Sequence, residues 1–98
     1  MTISKTKNGN ALTIVLEGRL DTTTAPELEQ ELKQELKGIE TLAFDFSKVD
    51  YISSAGLRVL LYAQKAMYGM GSMKVMHANE IVMEVFEVTG FANVLTIE

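Results

Sequence analysis

Hydrophobic and polar residues alternate in two stretches of the chain, 11–17 and 41–46. Alternation with period two is typical of a β-strand with one buried face. Residues 2–7 and 11–17 flank the tripeptide Asn-Gly-Asn, and Asn-Gly between two extended segments indicates a hairpin because both residues adopt positive φ readily. The inward side chains of the alternating strands would be Leu12, Ile14, Leu16, Leu42, Phe44 and Phe46.

A helical spacing of apolar residues follows the second predicted strand. Thr24 and Glu27 have the spacing of a capping box, Pro26 falls in the first turn where its missing N–H is harmless, and Gly38 ends the segment. Leucine recurs at every fourth position, which predicts one narrow buried stripe. That stripe consists of Leu28, Leu32 and Leu36.

Two further helices and two short strands complete the pattern. A helix is predicted from Ser54 to about Tyr68 and another from the Asn79 cap to Gly90, with strands at 73–76 and 93–97. The second helix carries few strongly polar residues, so we expect it to be covered on more than one side, by its own sheet or in addition by a partner.

The predicted element order is β-β-α-β-α-β-α-β, without internal repeats. Strands that alternate with helices indicate parallel pairing through right-handed crossovers. The sequence therefore predicts a single α/β domain over residues 1–98, with a mixed, mostly parallel sheet that begins with an antiparallel hairpin.

Composition and charge narrow the class of function. With 98 residues and 47% hydrophobic content, the chain fits one domain that buries about 60 to 70% of its unfolded surface. The formal net charge of −4 opposes binding to nucleic acid or anionic lipid, and the absence of cysteine excludes disulfides and thiolate chemistry. The N-terminus lacks the apolar core of a secretory signal, and the longest apolar run, 59–63, is far shorter than the ~20 residues of a membrane helix. We expect a cytoplasmic protein with neither a nucleic-acid nor a membrane partner.

Candidate catalytic groups are sparse. The single histidine, His77, lies at a predicted strand end, and a lone histidine in a loop is more often solvated or structural than catalytic. The glycines in 69–72 lack the lysine of a phosphate-binding loop. We therefore predict that the protein is not an enzyme and holds no cofactor or metal. A small phosphocarrier or enzyme built on His77 is the alternative.

Two adjacent serines, Ser53 and Ser54, stand where the second helix begins. Either hydroxyl could cap the helix, which is the more common role of a serine at this position. A phosphoryl group there would also be tolerated, because a helix N-terminus offers unpaired N–H groups and a partial positive charge. Asp21 follows the second strand, and we expect it at the same edge of the sheet, where such folds present their sites.

Three blocks of sequence together resemble a known family. They read GRLDTTTAPELEQEL, LAFDFSKVDYISSAGLRVLL and VMEVFEVTGFANVLTI, and they cover nearly the whole chain. In this order they are similar to the bacterial anti-sigma factor antagonists, the single-domain proteins of the STAS class. The resemblance implies a STAS-like fold with helices packed mainly on one face of the sheet.

The resemblance also implies a partner switch. In that family the unphosphorylated antagonist binds an anti-sigma factor serine kinase and releases a sigma factor. Phosphorylation of a serine at the start of the second helix prevents binding, and a phosphatase restores it. ATP and magnesium belong to the kinase, so this chain would be its substrate and ligand.

The phosphorylated serine is assigned by alignment on Gly56 and Leu57. This alignment places Ser54 at the modified position and Ser53 where the family has an aspartate, so Ser54 is the predicted phosphorylation site and Ser53 the second choice. Asp21 matches the aspartate of the family's Gly-x-Leu-Asp turn at the partner surface. The predicted partner-binding residues are Asp21, Ser53, Ser54, Leu57, Arg58 and Leu61.

A second function is compatible with the same resemblance. The chain could be a STAS-class accessory subunit of a lipid-transport complex, or a signalling scaffold, in which the serine is only a helix cap. Both functions predict the same fold, and they differ in whether a kinase modifies Ser54.

Overall fold

Strands and helices alternate along the chain in a computed structural model that describes residues 1–98. The four strands are β1 Thr2–Asn8, β2 Ala11–Leu20, β3 Thr41–Ile52 and β4 Ser72–Met76. The helices are α1 Ala25–Glu35, α2 Ser54–Met67 and α3 Glu80–Thr89, followed by a short 3₁₀ helix, Phe91–Asn93. No helix combines the length and the apolar character that a membrane span requires.

The strands form one sheet in the order β1-β2-β3-β4. β1 and β2 are antiparallel, and the hairpin between them turns at Gly9, whose φ of 63° lies in the left-handed region. β2 pairs with β3 and β3 with β4 in parallel, so α1 and α2 are crossover helices. The predicted mixed, mostly parallel sheet with an N-terminal hairpin is confirmed.

One hydrophobic core lies between the sheet and its helices. Alternate residues of β2 and β3 face the helix layer and are buried, as the strand pattern predicted. Phe46 of β3 is at the centre, with its ring centroid 6.3 Å from those of Phe44 and of Phe86 in α3. The same core includes Leu28 of α1 and Leu60 of α2, so all three helices share it.

β2 and β3 are longer than the sequence pattern indicated. β2 continues to Leu20 rather than 17, and β3 continues to Ile52 rather than 46. Their pairing passes through register shifts between Val15 and Glu17 and between Gly18 and Arg19. Such irregularities interrupt the alternation of buried residues, which is why period two was no guide to these strand ends.

The predicted last strand at 93–97 is wrong. The chain instead forms the 3₁₀ helix and then a single parallel bridge between Val75 and Ile97. Leu95 turns into the core and is only 6% exposed. Because the 3₁₀ helix occupies residues 91–93, only the last residues pair with β4, where the Val75 N–H donates to the Thr96 carbonyl oxygen and the Glu98 N–H to the Val75 carbonyl oxygen, both at 2.9 Å.

The helix ends follow the sequence signals in two places and depart from them in a third. Asn79 caps α3, since its Oδ1 accepts a hydrogen bond from the Val82 N–H (2.8 Å), and Gly90 ends the helix with a φ of 82°. The predicted capping box of Thr24 is wrong. Its hydroxyl instead donates to the Arg19 carbonyl oxygen (2.7 Å) and accepts from the Asp21 N–H (2.8 Å), which ties α1 to the end of β2.

Candidate functional site

The carboxyl ends of β2 and β3 bring Asp21 and the two serines to one edge of the sheet. Asp21 directly follows β2, and Ser53 directly follows β3, its parallel neighbour. The Ser53 N–H donates to the Leu20 carbonyl oxygen at 2.9 Å, so the two strand ends are joined at the site. This is the shared edge that the sequence predicted.

Asp21 organises the turn between β2 and α1. Its Oδ1 accepts hydrogen bonds from the Thr23 hydroxyl (2.8 Å), the Thr23 N–H (3.0 Å) and the Thr24 N–H (3.3 Å). These bonds, that of the Thr23 hydroxyl above all, hold the pKa of Asp21 below its usual value because they favour the ionised carboxylate. The turn therefore presents a fixed negative charge beside the serines.

Arg19 and Tyr51 border this turn, and the sequence analysis did not predict either of them as a site residue. They are cross-strand partners in β2 and β3, and the Arg19 guanidinium carbon lies 4.7 Å from the Tyr51 ring centroid. Arg19 Nε is 3.6 Å from Asp21 Oδ2. The pairing follows a register shift, and no spacing in the sequence shows where such a shift falls.

The two serine hydroxyls have different surroundings. Ser53 occupies the N-cap position of α2 in extended backbone, yet its side chain makes no capping hydrogen bond. Its Oγ is buried and has no hydrogen-bond partner. Ser54 is the first residue of the helix and is exposed. Of the two hydroxyls, that of Ser54 is the one open to another protein.

Gly56 allows α2 to begin directly on the end of β2. A Cβ atom at this position would lie 2.7 Å from Leu20 Cγ, 2.8 Å from Ile52 Cγ1 and 2.9 Å from the Leu20 carbonyl oxygen. No side chain fits in that space without displacing the helix or the strand ends. The glycine thus sets how close Ser54 stands to the Asp21 turn.

The predicted partner residues on α2 do not all face outward. Leu57 is 5% exposed and belongs to the core, because the first turn of α2 directs it toward the sheet. Arg58 is exposed and Leu61 is half-buried. Tyr62, which is 36% exposed, lies on the same outer side and was not predicted. The hydrophobic repeat predicted a buried α2 without showing which leucines remain at its surface.

An open groove of about 230 Å³ separates the first turns of α1 and α2. It lies beside Ser54, since its α2 wall begins at the next residue, Ala55, and includes Arg58 one turn further on. The groove joins residues far apart in the chain, so the sequence pattern did not show it. Its lining consists of Thr22, Ala25, Pro26, Glu29, Ala55, Arg58 and Val59.

His77 lies elsewhere. It follows β4, which reaches only as far as Asp45 in the middle of β3, and its φ is 63°. Asp45 accepts a hydrogen bond from the Ser47 N–H (2.9 Å), which with the nearby His77 lowers the pKa of the Asp45 carboxyl. The His77 side chain is exposed. No cluster of three His, Cys, Asp or Glu side chains suited to a metal is present.

Comparison with known proteins places this chain among STAS domains. The family described as Mlab, STAS domain, matches residues 3–96. The candidate anti-sigma factor antagonist BtrV of Bordetella bronchiseptica is 34% identical over 99% of this chain and 85% of its own length. The anti-sigma-B factor antagonist of Listeria monocytogenes is 29% identical over 96% of this chain and 84% of its own length.

Solved structures share the fold. A candidate anti-sigma factor antagonist from Thermotoga maritima superposes with a TM-score of 0.90 at 19% identity, covering 97% of this chain and 84% of the other. Unphosphorylated SpoIIAA, an anti-sigma factor antagonist, has a TM-score of 0.86 at 15% identity over 99% of this chain and 88% of the other. Given the match over residues 3–96 and the 34% identical relative, this protein belongs to the STAS domain family.

Proposed function

We propose that this protein is an anti-sigma factor antagonist controlled by phosphorylation of Ser54. In the unmodified form it binds an anti-sigma factor serine kinase in the cytoplasm, and this binding releases a sigma factor. The kinase transfers the γ-phosphoryl group of ATP to the Ser54 Oγ, releasing ADP and the hydroxyl proton, and the modified protein no longer binds. A phosphatase returns the serine to its free form. The observation that carries the proposal is the exposed hydroxyl of Ser54 beside the Asp21 turn.

Exposure favours Ser54 over Ser53 as the phosphorylated residue. A kinase must bring the acceptor oxygen into line with the phosphoryl group, which a buried oxygen does not allow. The Ser53 Oγ is buried, whereas Ser54 is exposed at the start of α2. Ser53 therefore contributes to the junction through its backbone, whose N–H donates a hydrogen bond to the Leu20 carbonyl oxygen.

Ser54 lies where a phosphate can be added without disturbing the fold. The first turn of a helix has N–H groups without intrahelical partners and a partial positive charge, both of which tolerate a phosphate. Phosphorylation adds a charge of about −1.5 to −2 at neutral pH. The added charge lies at the surface beside the ionised Asp21 turn, so we expect it to change the docking surface and not the core.

The proposed docking surface consists of the Asp21 turn, Ser54, Arg58, Leu61 and the groove between α1 and α2. Leu57 supports this surface from the core side. A partner that fills the groove must displace water around Ser54, and a phosphate there would be costly to desolvate. A loss of ~3 kcal/mol would weaken binding about a hundredfold, which is enough for a switch. The names of the relatives in Bordetella bronchiseptica and Listeria monocytogenes support the same function.

The test is intact-mass measurement after incubation with ATP and an anti-sigma factor kinase of the same organism. Wild type, Ser54→Ala and Ser53→Ala are compared, the last as the matched control for a neighbouring hydroxyl. We expect one phosphate on wild type and Ser53→Ala and none on Ser54→Ala. A pull-down with the same kinase should then retain unmodified wild type and lose the phosphorylated form.

Two results would contradict the proposal. A phosphate that persists in Ser54→Ala would assign the modification to another residue. If wild type accepts no phosphate from the kinase that it binds, Ser54 is only the beginning of α2, and the accessory-subunit or scaffold function takes precedence. The first result, followed by loss of the phosphate in a further variant, His77→Ala, would support the phosphocarrier alternative.

A further inference from the structure

Arg58 follows Ser54 by four residues on the exposed side of α2. It forms no ion pair and no side-chain hydrogen bond in the structure, unlike Arg19, the other arginine, which is paired with Asp21. Lys37, Lys48 and Lys65 are likewise without an ion pair, but none of them lies within a helical turn of Ser54. An unpaired guanidinium therefore lies one helical turn from the proposed phosphorylation site. Its five N–H donors form a planar fork that matches the oxygens of a phosphate.

Among the residues that line the groove, the one carboxylate is already paired with a lysine of its own helix. Glu29 of α1 lines the same groove, but its Oε2 is 3.3 Å from Lys33 Nζ. α2 itself contains no acidic residue between Ser54 and Met67. No carboxylate on α2 therefore competes for the Arg58 guanidinium. A phosphate on Ser54 would be the first anionic group on this helix.

We propose that Arg58 binds the phosphate of phosphorylated Ser54 within the same chain. This inference rests on the phosphorylation proposed above and assigns the residue that receives it. Residues four apart on a helix have Cβ atoms about 5–6 Å apart, and the favourable order has the anion N-terminal to the cation, as here. The long arginine side chain spans that distance and forms charge-assisted hydrogen bonds to two phosphate oxygens.

Phosphorylation then changes two features of the docking surface at once. It adds negative charge at Ser54, and it occupies the guanidinium of Arg58, which in the unmodified protein is free to bind a carboxylate of the partner at the groove. Arg58 accordingly contacts the partner in one state and the phosphate in the other. The change requires no movement of the backbone, because both residues lie on the first two turns of one helix.

The test uses phosphoserine incorporated at position 54 during translation, so that no kinase is needed. The second pKa of the phosphate is measured by ³¹P NMR in wild type, Arg58→Gln and Lys65→Gln. Lys65 is the matched control, an exposed cation eleven residues after Ser54 on the same helix. A bound guanidinium favours the dianion, so we expect this pKa to be higher in Arg58→Gln than in wild type by about 0.2 to 0.4. Lys65→Gln should match wild type.

Arg58→Lys provides a second comparison, since lysine retains the charge but loses the planar fork. Its phosphate pKa should lie between those of wild type and Arg58→Gln. Equal values in wild type and Arg58→Gln, or an equal shift in Lys65→Gln, would overturn the assignment. The outcome is independent of the kinase experiment: failure of the kinase to modify Ser54 would reject the proposed function, whereas an unshifted phosphate pKa would reject only the role of Arg58.

Discussion

At the scale of single residues, Ser53 and Asn79 are the N-cap residues of α2 and α3, but only the side chain of Asn79 forms hydrogen bonds. The Asn79 side chain accepts from the Val82 N–H at 2.8 Å and donates to the Val49 carbonyl oxygen at 3.0 Å. The Ser53 hydroxyl is buried without a partner. A buried hydroxyl without a hydrogen bond does not stabilise the fold, whereas a capping amide does.

Alanine substitutions at these two caps should therefore differ. We expect Asn79→Ala to lower the free energy of unfolding by about 1 to 2 kcal/mol, because both a cap and a bond to β3 are lost. Ser53→Ala should change it by less than about 0.5 kcal/mol, since no bond is removed. Urea unfolding followed by circular dichroism measures both. Losses of equal size would show that the Ser53 hydroxyl caps α2 in solution.

At the scale of secondary-structure elements, the junction between α2 and the strand ends determines where the site lies. The first turn of α2 rests on Leu20 and Ile52, and only a glycine at position 56 allows this approach. The extension of β2 and β3 to these residues carries Asp21 and Ser54 to the same edge. The docking surface is thus a product of how one helix meets two strands.

Gly56→Ala tests this junction. Alanine is the better helix former by about 1 kcal/mol, but its Cβ would lie within 3 Å of three atoms of Leu20 and Ile52. Overpacking of this kind lowers stability by about 1 to 3 kcal/mol, and we expect this loss to prevail. The shift of α2 should also weaken partner binding. Ser54→Ala, at an exposed position of the same turn, is the control and should leave the free energy of unfolding nearly unchanged. If the Gly56→Ala protein is more stable than wild type, the helix propensity of alanine outweighs the close contacts with Leu20 and Ile52, and the proposed role of Gly56 is wrong.

At the scale of the whole molecule, the three helices have no separate cores. Leu28 of α1, Leu60 of α2 and Phe86 of α3 are all fully buried in one cluster with the inner face of the sheet. A chain of 98 residues with a single core is expected to unfold in one cooperative step. The docking surface therefore depends on the stability of the entire domain.

Substitutions in different helices should consequently shift the same transition. We expect Leu28→Ala to lower the free energy of unfolding by about 2 to 5 kcal/mol and Phe86→Ala by about 3 to 5 kcal/mol. Thermal unfolding followed by far-ultraviolet circular dichroism and by tyrosine fluorescence should give one coincident midpoint for each variant. As the control, Thr13→Ser, on the outer face of β2, should keep the wild-type midpoint. Two separate transitions in either core variant would indicate that one helix unfolds independently.

The sequence by itself determined the features that depend on neighbouring residues. Alternation, turn signals and helical spacing located the first four strands and the three helices, and Gly9, Asn79 and Gly90 marked turns and helix ends, because backbone preference and capping are local properties. The order of elements implied the fold class, and three blocks of residues indicated the family. Ser54 was assigned through its motif, which is also a short stretch of chain.

Only the tertiary structure decided how these elements meet. The register shifts between β2 and β3, the loss of the last strand and the pairing of Arg19 with Tyr51 depend on contacts between distant segments. The same holds for the buried Ser53 hydroxyl, the inward direction of Leu57 and the groove beside Arg58. The surroundings of a residue depend on distant segments of the chain that pack against it, and a local sequence pattern carries no information about those segments.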